Sequence, residues 1–220
     1  MTGGQEANNT KPRRRTQQER TAQAERALLD AAATLFARRG VERTSLADVG
    51  VHAGYSRGLV NHHFGSKAAL VERLARDIQE EFVREIISRI DESDDDAVEI
   101  IAGMVGDYLN GLVEHEETAR AFFVMWSAAI PREAALRPVM APDDARFRLG
   151  VEGVLRNGQK QGSVDPALDP AATALTIVGL LRGVVAQYLV TPATYDLAAA
   201  IESSRRFVRR GLSPERQGRE

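Results

Sequence analysis

The chain has no cysteine, few aromatic residues (5%) and no convincing run of alternating apolar and polar residues. Without cysteine there can be no disulfide, no thiolate metal site and no cysteine nucleophile, a composition compatible with a reducing compartment. Scarce aromatics and abundant Ala and Leu favour packed helices over sheets, which draw on β-branched and aromatic side chains. The stretch from Met1 to Arg20 is polar and basic, with no apolar segment, so it does not read as a secretory signal. No P-loop, no G-x-G-x-x-G and no H-E-x-x-H occurs. The most apolar segment, Ala171 to Val190, carries Arg182 and Gln187 in its middle, so it reads as a buried or interface helix rather than a membrane span. A cytoplasmic protein without membrane association is the expectation.

What is present is a globular balance, 43% hydrophobic and 27% charged, enough to build a sizeable core. The net charge of −2 is unevenly spread. Residues 1–76 hold 13 Lys/Arg against 7 Asp/Glu, and residues 77–220 hold 16 against 24, so a head of +6 precedes a body of −8. A basic head on an acidic body fits a nucleic-acid-binding module attached to another domain, although uneven surface charge alone gives the same numbers.

Helical periodicity and caps place the elements. Ala24, Ala27, Leu28, Ala31, Leu35 and Phe36 recur at helical spacing and predict a helix over 18–39, closed by Arg38, Arg39 and Gly40. Ser45-x-x-Asp48 is a capping box opening a short helix over 46–52, which Gly54 breaks. Ser56 caps a second short helix over 57–64, and Ser66 caps a third running towards Ile90. The acidic run Asp91 to Asp96 reads as a turn whose last members cap the next helix. Further helices are predicted at 97–112, 116–129, 143–161, 170–189 and 195–210, with Pro131, Pro138 and Pro142 keeping the stretch before Asp143 irregular. The predicted fold class is all-α. Residues 1–17 form a disordered basic arm, 18–82 a three-helix head, 83–212 a larger helical domain, and 213–220 a disordered tail.

The segment 45–64 carries the chemistry. Two short capped helices joined by a glycine turn are the parts of a helix-turn-helix. Leu46, Val49, Ala53, Leu59 and Phe64 are assigned to its core, with Ala53 small enough for a close crossing and Gly54 free to take positive φ. That leaves Thr44, Ser45, Ser56, Arg57, Gly58, Asn61, His62, His63 and Lys67 as candidate contacts to double-stranded operator DNA. Arg57 suits guanine or a phosphate, Asn61 suits adenine, and Gly58 allows close approach. Lys67 suits a phosphate at a helix N-terminus. For His63 a half-buried packing role competes. The basic arm Arg13 to Arg15 either enters a minor groove or stays a solvated tail.

At this point the chain resembles the tetracycline-repressor (TetR) family of regulators. Its stretch Gly54-Tyr55-Ser56-Arg57-Gly58-Leu59-Val60-Asn61-His62-His63-Phe64-Gly65-Ser66-Lys67 is similar to that family's recognition segment, approximately G-V-S-R-G-T-L-Y-H-H-F-P-S-K. Ala31 to Gly40 followed by Thr44 matches the family's first helix and turn, and the strong resemblance spans about residues 22–82. Three departures stand out: Asn61 where the family has an aromatic, Leu59 for a small hydroxyl residue, and Gly65 for a proline. The segment from Gly158 to Pro170 looks like the family's junction before its dimerisation helices.

The resemblance implies a ligand-responsive DNA-binding regulator, a repressor released from a roughly palindromic operator by a small molecule, with a ligand cavity in the second domain of a homodimer. For the cavity, Met104, Tyr108, Phe122, Trp126 and Phe147 are candidate lining residues, each with ordinary core packing as the competing reading. For the dimer interface, the helix 170–189 is apolar nearly all round. Leu175, Gly179, Gly183 and Ala186 on it, with Ile201 and Phe207 on the last helix, are the candidates. No catalytic residue, metal ligand or cofactor is assigned. Two other classes compete: a helical ligand-binding or adaptor protein with weakened DNA binding, kept open by Asn61 and Leu59, and a metal-dependent helical enzyme. The enzyme reading rests on His115-Glu116-Glu117 and His62-His63, whose spacings suit no metal motif.

Overall fold

Each helix begins and ends where a specific backbone group is satisfied. The computed structural model describes residues 16–92, 95–131 and 134–214, and among them all regular structure is helical. The basic arm Arg13 to Arg15 lies outside the described residues. Helix α1 (Gln17–Arg39) starts at Thr16, whose hydroxyl accepts from the Glu19 N–H while the Glu19 carboxylate accepts from the Thr16 N–H. It ends at Gly40, whose φ of 82° stops the helix. The same capping box recurs between Ser45 and Asp48 at the head of α2 (Leu46–His52). Ser56 caps α3 (Arg57–Phe64), and Gly54, at φ 75°, makes the turn between α2 and α3. Gly65 closes α3 at φ 72°, a value closed to the proline of related sequences.

Helix α4 (Lys67–Glu92) opens with Ser66 Oγ accepting from the Ala69 N–H. It runs into the acidic segment that the sequence assigns to a turn: Asp91 and Glu92 join its last turn, while Asp96 caps α5 (Ala97–Glu114) by accepting from the Val98 and Glu99 N–H groups. Helix α6 (Glu116–Ser127) follows almost directly. Helix α7 (Arg137–Gln161) corrects the expected irregular stretch before Asp143. Pro138 sits in its first turn, where its missing N–H has no partner to lose, and Pro142 costs only one early intrahelical bond. Asp169 caps α8 (Pro170–Val190) with Pro170 in the first turn. A short 3-10 turn (Pro192–Thr194) leads to α9 (Leu197–Leu212), which starts after its cap Asp196 rather than at Tyr195.

The apolar side chains gather into two cores. The first joins Leu28 and Phe36 of α1, Val49 of α2, Val60 of α3 and Leu70 and Leu74 of α4 to Ala121, Phe122 and Met125 of α6 and Met140 of α7. The three-helix head therefore shares its core with α6 and the start of α7. The second core holds Ile101, Val105 and Leu109 of α5, Leu155 of α7, Ile177, Leu181 and Val185 of α8, and Ile201 and Val208 of α9. In α3 the fully buried residue is Val60 rather than Leu59, which is half-buried. The close crossing of α2 and α3 lies at Gly50, where a Cβ would stand 3.0 Å from Val60 Cγ2 and 3.1 Å from the Tyr55 carbonyl oxygen. Ala53, assigned that role from the sequence, instead ends α2.

Two polar ties fix the body. Arg209 grips the Glu99 carboxylate through Nε at 2.8 Å and Nη2 at 2.7 Å, joining α9 to α5, and this contact holds the Glu99 carboxyl below its ordinary value. The Gln159 amide donates to the carbonyls of Asp165 and Leu168 and so pins the loop between α7 and α8.

Helix α7 packs closely at Gly158, where a Cβ would fall 2.5 Å from both Ala97 Cβ of α5 and Val164 Cγ2 of the following loop. Gly158→Ala is therefore expected to lower stability by about 1–3 kcal/mol through overpacking, despite alanine's better helix propensity. Thermal unfolding of the two proteins checks this; an unchanged or raised midpoint would contradict the packing.

Candidate nucleic-acid interface and internal cavity

The face of α3 away from the core is polar and carries no acidic residue. Arg57, Gly58, Asn61 and His62 are exposed, and His63 is half-buried with its ring 5.9 Å from that of Phe64. A Cβ at Gly58 would meet only Ser56 Oγ, at 3.7 Å, so nothing within the chain requires glycine there. Lys67 donates from Nζ to the Glu42 carbonyl oxygen at 3.2 Å, which stations its charge between the start of α4 and the turn after α1.

Three candidate contacts are committed to building the head. Thr44 is 2% exposed, and its hydroxyl donates to the Gly40 carbonyl oxygen. Its burial corrects its assignment as a side-chain contact to DNA. The Ser45 hydroxyl accepts from the Asp48 N–H and donates to the Asp48 carboxylate at 2.7 Å. The Ser45 backbone N–H and hydroxyl together hold the Asp48 carboxyl below its usual value. The Ser56 hydroxyl accepts from the Leu59 N–H.

In the body, α4, α5, α6, α7 and α8 surround a cavity of about 480 Å³. Tyr108, Phe122, Phe123 and Phe147 form its aromatic wall, with Tyr108 and Phe147 stacked at 6.0 Å and 14°. Of the five candidate lining residues, Tyr108, Phe122 and Phe147 reach the cavity. Met104 does not, being 6% exposed within the second core. Trp126 lies outside the lining: its ring carries the Arg182 guanidinium at 4.8 Å, and its indole N–H donates to Asp144 Oδ1 at 3.3 Å.

The polar part of the lining escaped prediction. Arg182 projects from the buried side of α8 and pairs with Asp144 of α7, which also pairs with Arg148. Asp143, 6% exposed, accepts from Arg146 at 2.9 Å. Burial pushes the Arg182 guanidinium below its ordinary value, an effect that the nearby Tyr108 opposes; burial likewise pushes the Tyr108 hydroxyl up. The available signal was Arg182 itself, a charge in the middle of an apolar helix. Among the described residues, no group of three or more His, Asp or Glu is placed to hold a metal ion.

On the outer side of α8, Leu175 (59% exposed), Gly179 and Ala186 are exposed and Gly183 is half-buried. No other part of the chain comes within 4 Å of a Cβ built at Gly179 or Gly183. Phe207 of α9 is 65% exposed, whereas Ile201 is buried in the chain's own second core, which corrects its assignment to the outer face. By length and composition α8 is apolar enough to cross a membrane, but its inner side packs in the second core and holds Arg182.

Two family models match the chain. Residues 28–74 match the model for bacterial regulatory proteins of the TetR family, and residues 97–213 match the C-terminal model of BetI-type transcriptional repressors. The chain belongs to the TetR family of bacterial transcriptional regulators. TtgR, a helix-turn-helix regulator of Pseudomonas putida, is 28% identical over 194 residues, covering 86% of this chain and 90% of TtgR. A TetR-family regulator from Rhodococcus sp. superposes with a TM-score of 0.76 at 24% identity, covering 87% of this chain and 100% of that one. The fatty acid degradation regulator FadR of Bacillus halodurans superposes at 0.77 and 20% identity, over 85% and 98% of the two chains. The polar face of α3 is thus the second helix of a TetR-type helix-turn-helix.

Because Arg57 and Asn61 are exposed and carry no described packing role, Arg57→Ala and Asn61→Ala are each expected to weaken operator binding by about tenfold or more while leaving the thermal midpoint unchanged. Gly58→Ala should fold as well as the parent and still bind DNA less tightly. Electrophoretic mobility shifts beside melting curves test all three; full operator affinity in Gly58→Ala would remove the close-approach role.

Proposed function

We propose that this TetR-family regulator is a homodimeric repressor whose α3 helices read a roughly palindromic operator and whose cavity binds a small molecule that releases it. The observation that carries the reading is the position of α6. Phe122 lines the cavity, and its neighbours Ala121 and Met125 are buried in the core of the DNA-binding head. A ligand that repacks Phe122 acts on a residue of the head's own core. Arg120, two residues before Phe122 on α6, donates to the Leu189 carbonyl oxygen at the end of α8 at 2.8 Å, so the same helix is tied to the outer pair of helices.

The exposed apolar strip of α8 with Phe207 of α9 is the surface for the second copy. Small residues there allow close helix approach, and two copies of α8 and α9 make a four-helix bundle. A two-fold dimer places its recognition helices on half-sites about 34–36 Å apart, or multiples of that. Effector and operator then compete by linkage: a ligand favouring the head spacing that does not fit the operator shifts the dimer by no more than its differential affinity. The place of action is the cytoplasm, where the operator is.

The test is titration of the purified protein against its own upstream intergenic DNA across a salt series. Selective binding with a steep inverse salt dependence is expected, and equal affinity for random DNA would count against the reading. Leu175→Glu and Phe207→Glu place charges on side chains exposed in the single chain, so the fold should survive. Sedimentation should show monomers and operator affinity should fall by about a hundredfold or more as the two heads lose their linkage. Dimers persisting in both variants would move the interface elsewhere.

A further inference from the structure

Resting on the effector reading of the cavity, we infer that the ligand is an amphipathic anion: an aromatic or aliphatic body against the aromatic wall, with a carboxylate or similar acceptor group held by Arg182.

Arg182 lines the cavity and its side chain is only 10% exposed. One terminal nitrogen is used on Asp144, the guanidinium lies over the Trp126 ring, and Tyr108 supplies a further contact. Among the described residues its buried Nε–H has no hydrogen-bond partner. A buried donor without an acceptor is unfavourable, more so on a charged group, so a ligand that brings an acceptor gains about tenfold or more in affinity.

The unused donor belongs to a guanidinium, and a hydrogen bond from it is stronger to an anionic acceptor than to a neutral one. Asp144 is shared between Arg182 and Arg148, which leaves this group of three with one positive charge in excess. Deeper neutralisation is not offered by Asp143, whose carboxylate is engaged by Arg146. Glu80 and Arg84, the exposed charges of α4 on the lining, are of opposite sign and offset each other. Asp107 of α5 also lines the cavity and offsets that excess over the lining as a whole, so the anion is favoured by the local Nε–H of Arg182 and not by net charge. The rest of the wall is mainly aromatic and apolar, with Gln79, His115 and Thr118 among it, and suits the body of the ligand. Since Arg182 stands on α8, the anion contacts the helix whose outer side is the proposed dimer surface.

The test uses two fluorescent probes that differ by one anionic group, anilinonaphthalene sulfonate and N-phenylnaphthylamine. Each is titrated into the full-length protein and read by energy transfer from Trp126, the chain's one tryptophan. The sulfonate should bind at least tenfold more tightly than the neutral probe. Arg182→Met removes the charge and the donors, and Arg182→Lys keeps a charge for Asp144 but removes Nε–H. In Arg182→Met the preference for the sulfonate should collapse to within about twofold, and in Arg182→Lys, which keeps the charge without Nε–H, it should fall several-fold, while the neutral probe is held as before in both. Because the preference is a ratio within one protein, a general loosening of the fold moves both probes together and is told apart. Equal binding of the probes to the parent protein, or an undiminished preference in both variants, overturns the inference. Ala119→Phe, which fills part of the cavity and adds no second tryptophan, should weaken both probes; if it weakens neither, the effector cavity itself is misplaced, a different failure from a cavity that binds both probes alike.

Discussion

One buried guanidinium organises the body of this regulator. Taking Arg182 out of water is costly, and the cost is met only by partners brought from other helices: Asp144 from α7, the Trp126 ring from α6 and Tyr108 from α5. Apolar residues in place of such a pair would give equal or greater stability in many proteins, so the pair is weak as a source of stability and strong as a constraint on geometry. It obliges α7 to be helical early enough to present Asp144, which is why the helix tolerates Pro142 inside its second turn. It also gives α8 an inner side with a charge on it and an outer side of small and apolar residues.

The second organising element is α6, whose apolar residues serve two neighbours. Ala121 and Met125 complete the head's core, and Phe123 packs against both cores. A head built from α1 to α3 with the first turns of α4 is small, and small domains bury too little surface to be rigid alone. Borrowing α6 completes its core and makes its position depend on whatever α6 touches. Among those things is the cavity. Packing is thus contiguous from cavity wall to head, with the exposed Arg38–Glu117 pair at 3.3 Å a minor addition at the surface.

Local structure was legible in the sequence because its causes are local. Ser45, Ser56, Asp96 and Asp169 cap helices by contacts two or three residues away, and Gly40, Gly54 and Gly65 stop or turn the chain through their own φ values. The equally local caps Thr16 and Asp196 were passed over, Thr16 for a disordered arm and Asp196 for a helix beginning at Tyr195. Direction within a helix was harder to read. Leu59 and Val60 are adjacent and both apolar, and only the approach of Gly50 decides that Val60 points inward. Ile201 and Phe207 both looked suited to an outer face, but the contact of α9 with α5 turns Ile201 into the core and leaves Phe207 exposed. Thr44 looked like a free hydroxyl beside a polar helix, and it is spent on the Gly40 carbonyl. Trp126 and Met104 have the chemistry of pocket residues and lie just outside it, which no periodicity can reveal. The polar lining was invisible for the complementary reason: Asp143, Asp144, Arg146 and Arg148 read as ordinary i,i+3 and i,i+4 pairs on a solvated helix until α8 is laid across them.

The commitment of Thr44, Ser45 and Ser56 to the head's own hydrogen bonds bears on how such a protein achieves affinity. With those side chains occupied, the polar side chains that α3 leaves exposed for the proposed base reading are Arg57, Asn61 and His62, a short list for one head. A single small module of this kind buries only about 600–1,000 Å² on DNA. Much of its attraction is therefore the sequence-independent pull of the basic head on phosphates, and selectivity has to come from requiring two heads at once. That makes the spacing of the heads the most economical quantity to regulate. A ligand need not disturb any residue that touches DNA; it has only to favour a spacing at which the second head no longer reaches its half-site, and the effective concentration linking the two contacts disappears. The arrangement found here, with one cavity bordered by the helix that completes the head and by the helix proposed to face the second copy, allows a bound molecule to act on that spacing from both ends.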